Sequence, residues 1–399
     1  DIIYTLPTDQ DVSVFVGGKV NRIIANNLSM IEDVADKDSI EQKQVDNSMI
    51  YFRGCFDDKT EVLTNDGWKR RTEIREGLHL PTLNLKSGCV EEDEVLDISQ
   101  SKINERGIHL KSRAIDAMYT MDHRCIVSRY GLRIKRAYEV NKHTQFPTRW
   151  HPRITQLPDP WIELLGWIIT EGSYWTEKSK NKYIKKDGTI STSSMEYKRV
   201  CIIQKKYVER IRNLLRLNRM TGWYEKPHGS CVKFELSRKD SILIRNLLPD
   251  KKLTHSLIRS VPMRSYQSLL DGLLLGDGNG VSQFYQKDEE TIDAFQHLCV
   301  LAGRASSKYK RIFKKEVKRF SVKPCFRVNV RVPYTATKVK ITRYQAKGIY
   351  WCPTTRNGTV FVRRNGKVYI TGQTWTKKAA IMVTADRLVH DEKDSSKLD

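Results

Sequence analysis

Apolar and polar positions follow two different rhythms along this chain. From residue 55 to about 150 the stretches "TEVLTNDGWKRRTEI", "LHLPTLNL", "EDEVLDIS", "AIDAMYTM" and "RCIVSRYGLRI" are short, rich in β-branched and aromatic residues, and punctuated by Gly, Asn and Asp. That pattern predicts short strands and tight turns, an all-β section. It returns from about 345 in "GIYWCPTTRNGTVFVRRNGKVYITG". Between the two, from about 158, apolar residues recur at helical spacing. "DPWIELLGWIITEG" and "SYQSLLDGLLLGDG" predict apolar helices, "TIDAFQHLCVLAG" a third, and "KYVERIRNLLRLN" an amphipathic one. Basic strand-like pieces such as "FRVNVRV" lie among them. Residues 1–54 mix "VSVFV", a helical "NRIIANNLSMIEDVA" and a strand-like "SMIYFRG". The tail reads as a strand, a helix-like turn, and a strand ending in Asp391-Glu392.

A chain of 399 residues exceeds one typical core, so two or three domains are expected. No run approaches a membrane span and no secretory signal is visible, so no membrane role is expected. The opening "DIIYTLPTDQ" carries no initiating Met, and an internal piece of a longer protein is expected. Charge sharpens the division. Residues 1–54 hold five Lys/Arg against nine Asp/Glu, and 374–399 hold five of each, in a chain of net charge +23. The whole basic surplus therefore sits in 55–373, together with all eight cysteines. This is the signature of one gene product inserted into another. A surplus of that size calls for a polyanionic partner, nucleic acid. The cysteines form no CxxC pair and no zinc-spaced cluster, and read as reduced thiols of an intracellular protein.

"LLGWIITEG" (164–172) and "LLDGLLLGDG" (269–278) are two copies of one form: Leu-Leu, an apolar run with a small residue, then an acid before Gly. A repeat of this kind predicts a pseudo-twofold pair of halves. Gly166 and Gly272 would let two helices approach backbone to backbone. Their ends would then bring Glu171 and Asp277 together. Paired carboxylates in a basic protein suit a divalent metal held between protein and phosphate, for phosphodiester hydrolysis. These residues resemble the two-motif LAGLIDADG homing endonucleases over roughly 155–340. The resemblance implies αββαββα halves whose sheets saddle double-stranded DNA, Mg²⁺ at Glu171 and Asp277, and an active-site lysine at Lys252, with Lys251 as its rival. It also implies phosphate and groove contacts from two basic runs. Lys308, Lys310, Arg311, Lys314, Lys315, Lys318 and Arg319 make up the first, and Arg327 and Arg331 belong to the second.

The β-rich pieces on either side have distinctive edges. The first opens with Cys55 after Gly54 and contains "TMDH", with Thr120 and His123. The last, "NGKVYITGQTWT", stops a strand by setting the Gln373 carboxamide beside the Thr374 hydroxyl. This order of features resembles an intein of the Hint fold, over 55 to about 150 and about 345 to 373. The resemblance implies that Cys55 attacks the Gly54 carbonyl, and that Thr120 and His123 hold the scissile amide and protonate the departing amine. Thr374 then takes the acyl group, and Gln373 cyclises on its own carbonyl to release the insert. An O-to-N shift joins Gly54 to Thr374, with no cofactor. Cys352 stands where such proteins often place an assisting Asp or Cys. Two departures are plain: Gln373 replaces the usual Asn, and Gly372 the usual penultimate His. Arg363, Arg364 and Lys367 are the basic groups near Gln373.

The joined flanks look like the ATPase of a phage terminase large subunit, with Asp391 and Glu392 as a Walker B pair. No G-x-x-x-x-G-K-[ST] loop is present, so the chain itself is not expected to hydrolyse ATP. The expected organisation is a multidomain α+β protein. Extein 1–54 leads into a Hint domain (55–150 and 345–373) interrupted by an endonuclease (151–344), with extein 374–399 closing the chain and α/β P-loop flanks at both ends. The excised piece is expected to be a monomer in the cytoplasm of a bacterial host, acting on the host gene that lacks the insert. The competing readings are an endonuclease with a splicing-defective Hint domain and a non-catalytic DNA-binding module.

Overall fold

The computed structural model describes residues 42–45, 48–51, 55–129, 131–184, 189–311, 325–331 and 336–373. Gly54, Lys314, Lys315, Lys318, Arg319, Thr374, Asp391 and Glu392 lie outside these residues, and with them the Walker B expectation and most of both flanks. Of the flanks, a short hairpin pairs Gln42–Val45 with Ser48–Tyr51. Among the described residues no helix is long and apolar enough to cross a membrane.

The protein is mixed α/β with much sheet, and it divides into two units. One comprises 1–64, 68–148 and 336–399, and the other 65–67 and 149–335. The second junction, expected at 344/345, falls earlier. Lys340–Thr354 is a single strand, paired along its whole length with Asp97–Lys111, so it cannot be cut at 345.

Among the described residues the first unit is all β apart from short 3₁₀ turns, as strand-length apolar runs between turn residues dictate. Four strands close a barrel: Lys340–Thr354, Phe56–Asp57, Asp116–Thr120 and Asp97–Lys111. Its core contains Phe56, Ile108, Leu110, Tyr119, Trp351 and Val360. Hairpin Thr359–Arg364/Lys367–Gly372 turns through Asn365 (φ 48°) and Gly366 (φ 74°). Two successive left-handed residues match the right-handed twist of paired strands, and Asn-Gly supplies them at least cost. The turn fixes the register Arg364↔Lys367, hence Val360↔Thr371. Period-two alternation then puts Tyr369 and Thr371 on one face of the strand, which Gln373 follows.

Among the described residues the second unit holds six helices: α1 Pro160–Glu171, α2 Val208–Leu217, α3 Arg238–Leu247, α4 His255–Ser260, α5 Tyr266–Gly276 and α6 Glu289–Leu301. Asp159 caps α1, accepting from the Trp161 and Ile162 amides, with Pro160 preset for the first turn. Strands Gly172–Ile184, Ile190–Gln204, Cys231–Glu235 and Tyr224–His228 form one antiparallel sheet in that order. Gln283–Gln286, Cys325–Val330 and Ser306–Arg311 pair as the second half's strands. The halves are not equal. The first follows the expected αββαββα order, whereas α5 and α6 are separated by one described strand rather than a long pair. The connection Gly276-Asp277-Gly278-Asn279-Gly280 is too glycine-rich to extend, and its hairpin shrinks to a single bridge, Gly278↔Phe284.

Candidate functional site

In the barrel unit, the strand Asp116–Thr120 and the turn after it carry candidate residues. The Cys55 backbone N–H donates to Thr120 Oγ1 at 2.9 Å, and the Thr120 N–H donates to the Cys55 carbonyl at 3.0 Å. The hydroxyl of Thr120 thus sits on the amide nitrogen that a break before Cys55 would release. His123 reaches the other end of the insert: its Nε2 is 2.7 Å from Thr371 Oγ1. Tyr119 donates its phenol proton to the same oxygen at 3.0 Å, and its ring stacks on His123 at 3.9 Å between centroids. A hydroxyl that accepts from Tyr119 has its own proton to give, which suits a neutral imidazole accepting at Nε2. Thr371 stands two residues before Gln373, so one strand addresses both ends of residues 55–373.

The closing residues are buried. A Cβ on Gly372 would lie 2.5 Å from the Arg124 carbonyl oxygen and 2.8 Å from Arg124 Cβ. This backbone path leaves no room for an imidazole at the penultimate position, which accounts for the missing His. Gln373 Nε2 donates to the Thr355 carbonyl at 2.7 Å and to Thr355 Oγ1 at 3.0 Å. Its Oε1 is buried with no partner among the described residues. Cys352 is fully buried opposite Ser99, in the core cluster that also contains Cys55.

The nearby cations are committed elsewhere. Arg363 pairs with Glu61 at 2.7 Å, and Lys367 donates to the Ser112 carbonyl at 2.6 Å. Arg364, only 7% exposed, forks onto Asp57 at 2.9 Å and reaches Asp116 at 2.7 Å. All three are thus engaged with groups other than Gln373. Arg364 ties the segment just after Cys55 to the closing hairpin instead. Burial alone would raise the Asp116 carboxyl. Hydrogen bonds from His109 and Asn365 and the Arg364 charge outweigh it and hold the group below the usual range.

In the helical unit, α1 and α5 pack at their glycines. A Cβ on Gly166 would lie 2.9 Å from the Leu269 carbonyl oxygen and 3.0 Å from Gly272 Cα. Glu171 ends α1 and Asp277 follows α5. Burial raises the Glu171 carboxyl, and the Asp277 charge raises it further; burial raises Asp277 too. Lys251 opposes both shifts and donates to the Gly172 carbonyl at 2.7 Å, from a strained backbone with φ 53°. Lys252 is corrected: it faces Asp288 and Glu290 at 3.6 and 3.9 Å, and Lys251 is the lysine beside the acids. Among the described residues no three His, Cys, Asp or Glu side chains gather as a metal cluster. Two half-buried carboxylates, of which the Asp277 charge raises the Glu171 carboxyl, nonetheless fit a divalent cation, with the remaining positions left to phosphate and water.

Strand alternation sorts the basic residues. Lys308 lies opposite Val328, on the side of the sheet shared with Phe284. It pairs with Glu289 and Asp293 of α6, and its side chain is 14% exposed. It is bound to a helix rather than free for phosphate, which corrects its assignment. Lys310 shares that side but is exposed; Arg311 ends the strand. Arg327 lies on the opposite face, 5.5 Å over the Tyr309 ring, and Arg331 reaches Ser307 Oγ at 3.5 Å. The first half's sheet carries a group that sequence reading missed. Trp175 lies opposite Arg199 in the register, and Lys233 sits 4.5 Å over its ring. Their cations are scattered singly along strands, so no basic run announces them.

No family model matches the chain, and no curated protein matches it. The chain is similar in part to solved structures of two kinds. The homing endonuclease I-DmoI, in complex with DNA and Ca, shares 16% identity over 43% of this chain and 83% of that one, with a TM-score of 0.28. A bacterial intein-like domain from Clostridium thermocellum shares 20% over 24% of this chain and 67% of its own, with a TM-score of 0.22. The gp41-1 intein shares 21% over 24% and 68%, with a TM-score of 0.19.

Proposed function

We propose that residues 55–373 are a self-excising element that carries a DNA endonuclease. The observation that supports this most is the convergence of both ends of the insert on one strand, Cys55 through Thr120 and Gln373 through Thr371. Cys55 Sγ attacks the Gly54 carbonyl carbon. The bond to the Cys55 nitrogen breaks, and that nitrogen takes up a proton with Thr120 orienting it and His123 as the acid–base group. The acyl group passes from sulfur to the Thr374 hydroxyl. Gln373 Nε2 then bonds to its own main-chain carbonyl carbon, and the Thr374 amine leaves with the proton that the amide loses. The freed amine attacks the ester and joins Gly54 to Thr374.

The endonuclease is carried by Glu171 and Asp277 at the ends of the packed helices, with Lys251 beside them. Mg²⁺ held by the two carboxylates would activate water for attack on a phosphodiester. Trp175, Arg199, Lys233, Tyr309 and Arg327 lie on sheet faces suited to double-stranded DNA, stacking and neutralising phosphate. The host reading, a phage terminase ATPase acting in a bacterial cytoplasm, is supported by the sequence of the flanks. Intact mass spectrometry of freshly expressed chain tests the first reading. A piece spanning 55–373 and a joined flank peptide are expected, while Cys55→Ala with Gln373→Ala leaves the chain whole. A folded wild-type chain that also stays whole would overturn it.

A further inference from the structure

We infer that Thr355 is a positioning residue for the closing step, fitted to a glutamine rather than an asparagine. The assignment rests on the self-excision reading. Both protons of the Gln373 carboxamide nitrogen face Thr355, its carbonyl at 2.7 Å and its hydroxyl at 3.0 Å. Thr355 and Gln373 are each about 1% exposed, so water does not compete for these contacts. The hydroxyl is an acceptor here because its own proton is used elsewhere. It donates to the Thr359 carbonyl at 3.2 Å and faces the Asp93 carboxyl. The turn that carries Thr355 is held in turn by Asp93, which accepts from the Asn357 amide at 2.9 Å.

Two acceptors on one amide nitrogen do two things. They fix the rotation of a long side chain that would otherwise sample several rotamers, and they draw electron density toward the nitrogen that must act as nucleophile. The step is balanced without any co-reactant. Nε2 forms a bond to the Gln373 carbonyl carbon, the bond to the Thr374 nitrogen breaks, and one amide proton passes to that departing amine. The product is a six-membered imide. Asparagine is shorter by one methylene, so its amide would stop short of Thr355.

The test separates the two ends of the reaction in the full chain. Thiol-induced cleavage at Cys55 is measured beside release at Gln373 with imide formation. Thr355→Val is expected to slow release at Gln373 about tenfold, the effect of losing one hydrogen bond, while cleavage at Cys55 stays within about twofold and shows the fold intact. Thr355→Ser is expected to restore release. In a Gln373→Asn background, Thr355→Val is expected to make no further difference. Wild-type release from Thr355→Val, or equal sensitivity in the Asn background, would overturn the assignment. A wild-type chain that cleaves with thiol but never at Gln373 would overturn it as well. A chain that cleaves at neither end defeats the self-excision reading itself. The contact is then judged by proton exchange of the Gln373 carboxamide, where exchange as fast in wild type as in Thr355→Val removes the contact too.

Discussion

His123 Nε2 and Thr371 Oγ1 lie 2.7 Å apart, joining the turn after the strand that holds Cys55 to the strand that leads into Gln373. Tyr119 stacks on the imidazole and shares the same hydroxyl. A ring held by stacking on one side and a hydrogen bond at its tip has little freedom to rotate. His123→Ala is therefore expected to lower thiol-induced cleavage at Cys55 by about 10²–10⁴-fold, the usual contribution of a general acid–base group. Thr371→Val removes only the tip contact, so it should give a smaller loss. Cleavage time courses on gels check both. Unchanged rates for His123→Ala would remove the imidazole from the mechanism.

Gly272→Ala should destabilise the helical unit. A Cβ there meets the Glu163 carbonyl and comes within 3.1 Å of Gly166 Cα, and neither is a flexible side-chain end. Overpacking of this kind typically costs about 1–3 kcal/mol. Gly276→Ala meets the Thr170 side chain instead, so adding Thr170→Ala should recover part of its loss. Chemical denaturation with double-mutant analysis measures both. A Gly272→Ala chain as stable as wild type would mean that the helices do not need this approach.

The helix pair was legible in the sequence because glycine spacing and the acid–glycine ending are local signals. The barrel strands were legible for the same reason. What could not be read is which side chain meets which across long separations. Lys251 and Lys252 are adjacent and chemically alike. Only the backbone turn at Lys251, with its positive φ, decides that one faces Glu171 and Asp277 while the other faces Asp288. Lys308 looked like part of a basic run, but alternation turns it toward two acids on α6. Thr355 carries no motif at all. Its role emerges only where a turn closes on the residue that ends the insert.

The two raised carboxyls make a signed prediction. Glu171 is raised by burial and by the Asp277 charge, and Asp277 by burial. A carboxyl with a raised folded pKa binds more protons in the native state than in the unfolded one. Its contribution to stability is present below the unfolded value and is lost as pH rises through the folded value. Metal-free melting temperature should thus fall across and above the ordinary carboxylate range, by more in wild type than in a Glu171→Gln/Asp277→Asn double variant. Mg²⁺ at neutral pH should stabilise the wild type and not the double variant. Scanning calorimetry over a pH series reads the difference. Parallel curves for the two chains would show that the carboxylates do not interact as described.

Lys251 and Lys252 can be told apart by DNA cleavage. Lys251 lies where its charge acts on both Glu171 and Asp277, and its amine is held at 2.7 Å from the Gly172 carbonyl, at the end of α1. Removing that charge leaves Glu171 beside the Asp277 charge with less compensation and takes away a cation from the place where the proposed endonuclease would hold phosphate. Lys251→Met should therefore reduce cleavage of DNA spanning the uninterrupted host gene by about 10²-fold or more. Lys252→Met breaks only exposed contacts with Asp288 and Glu290, which are worth little in water. Its cleavage rate should stay within a few-fold of wild type. Binding measured by gel shift separates catalysis from affinity, since loss of one charge weakens binding similarly in both variants. The opposite ranking of cleavage rates would return the role to Lys252.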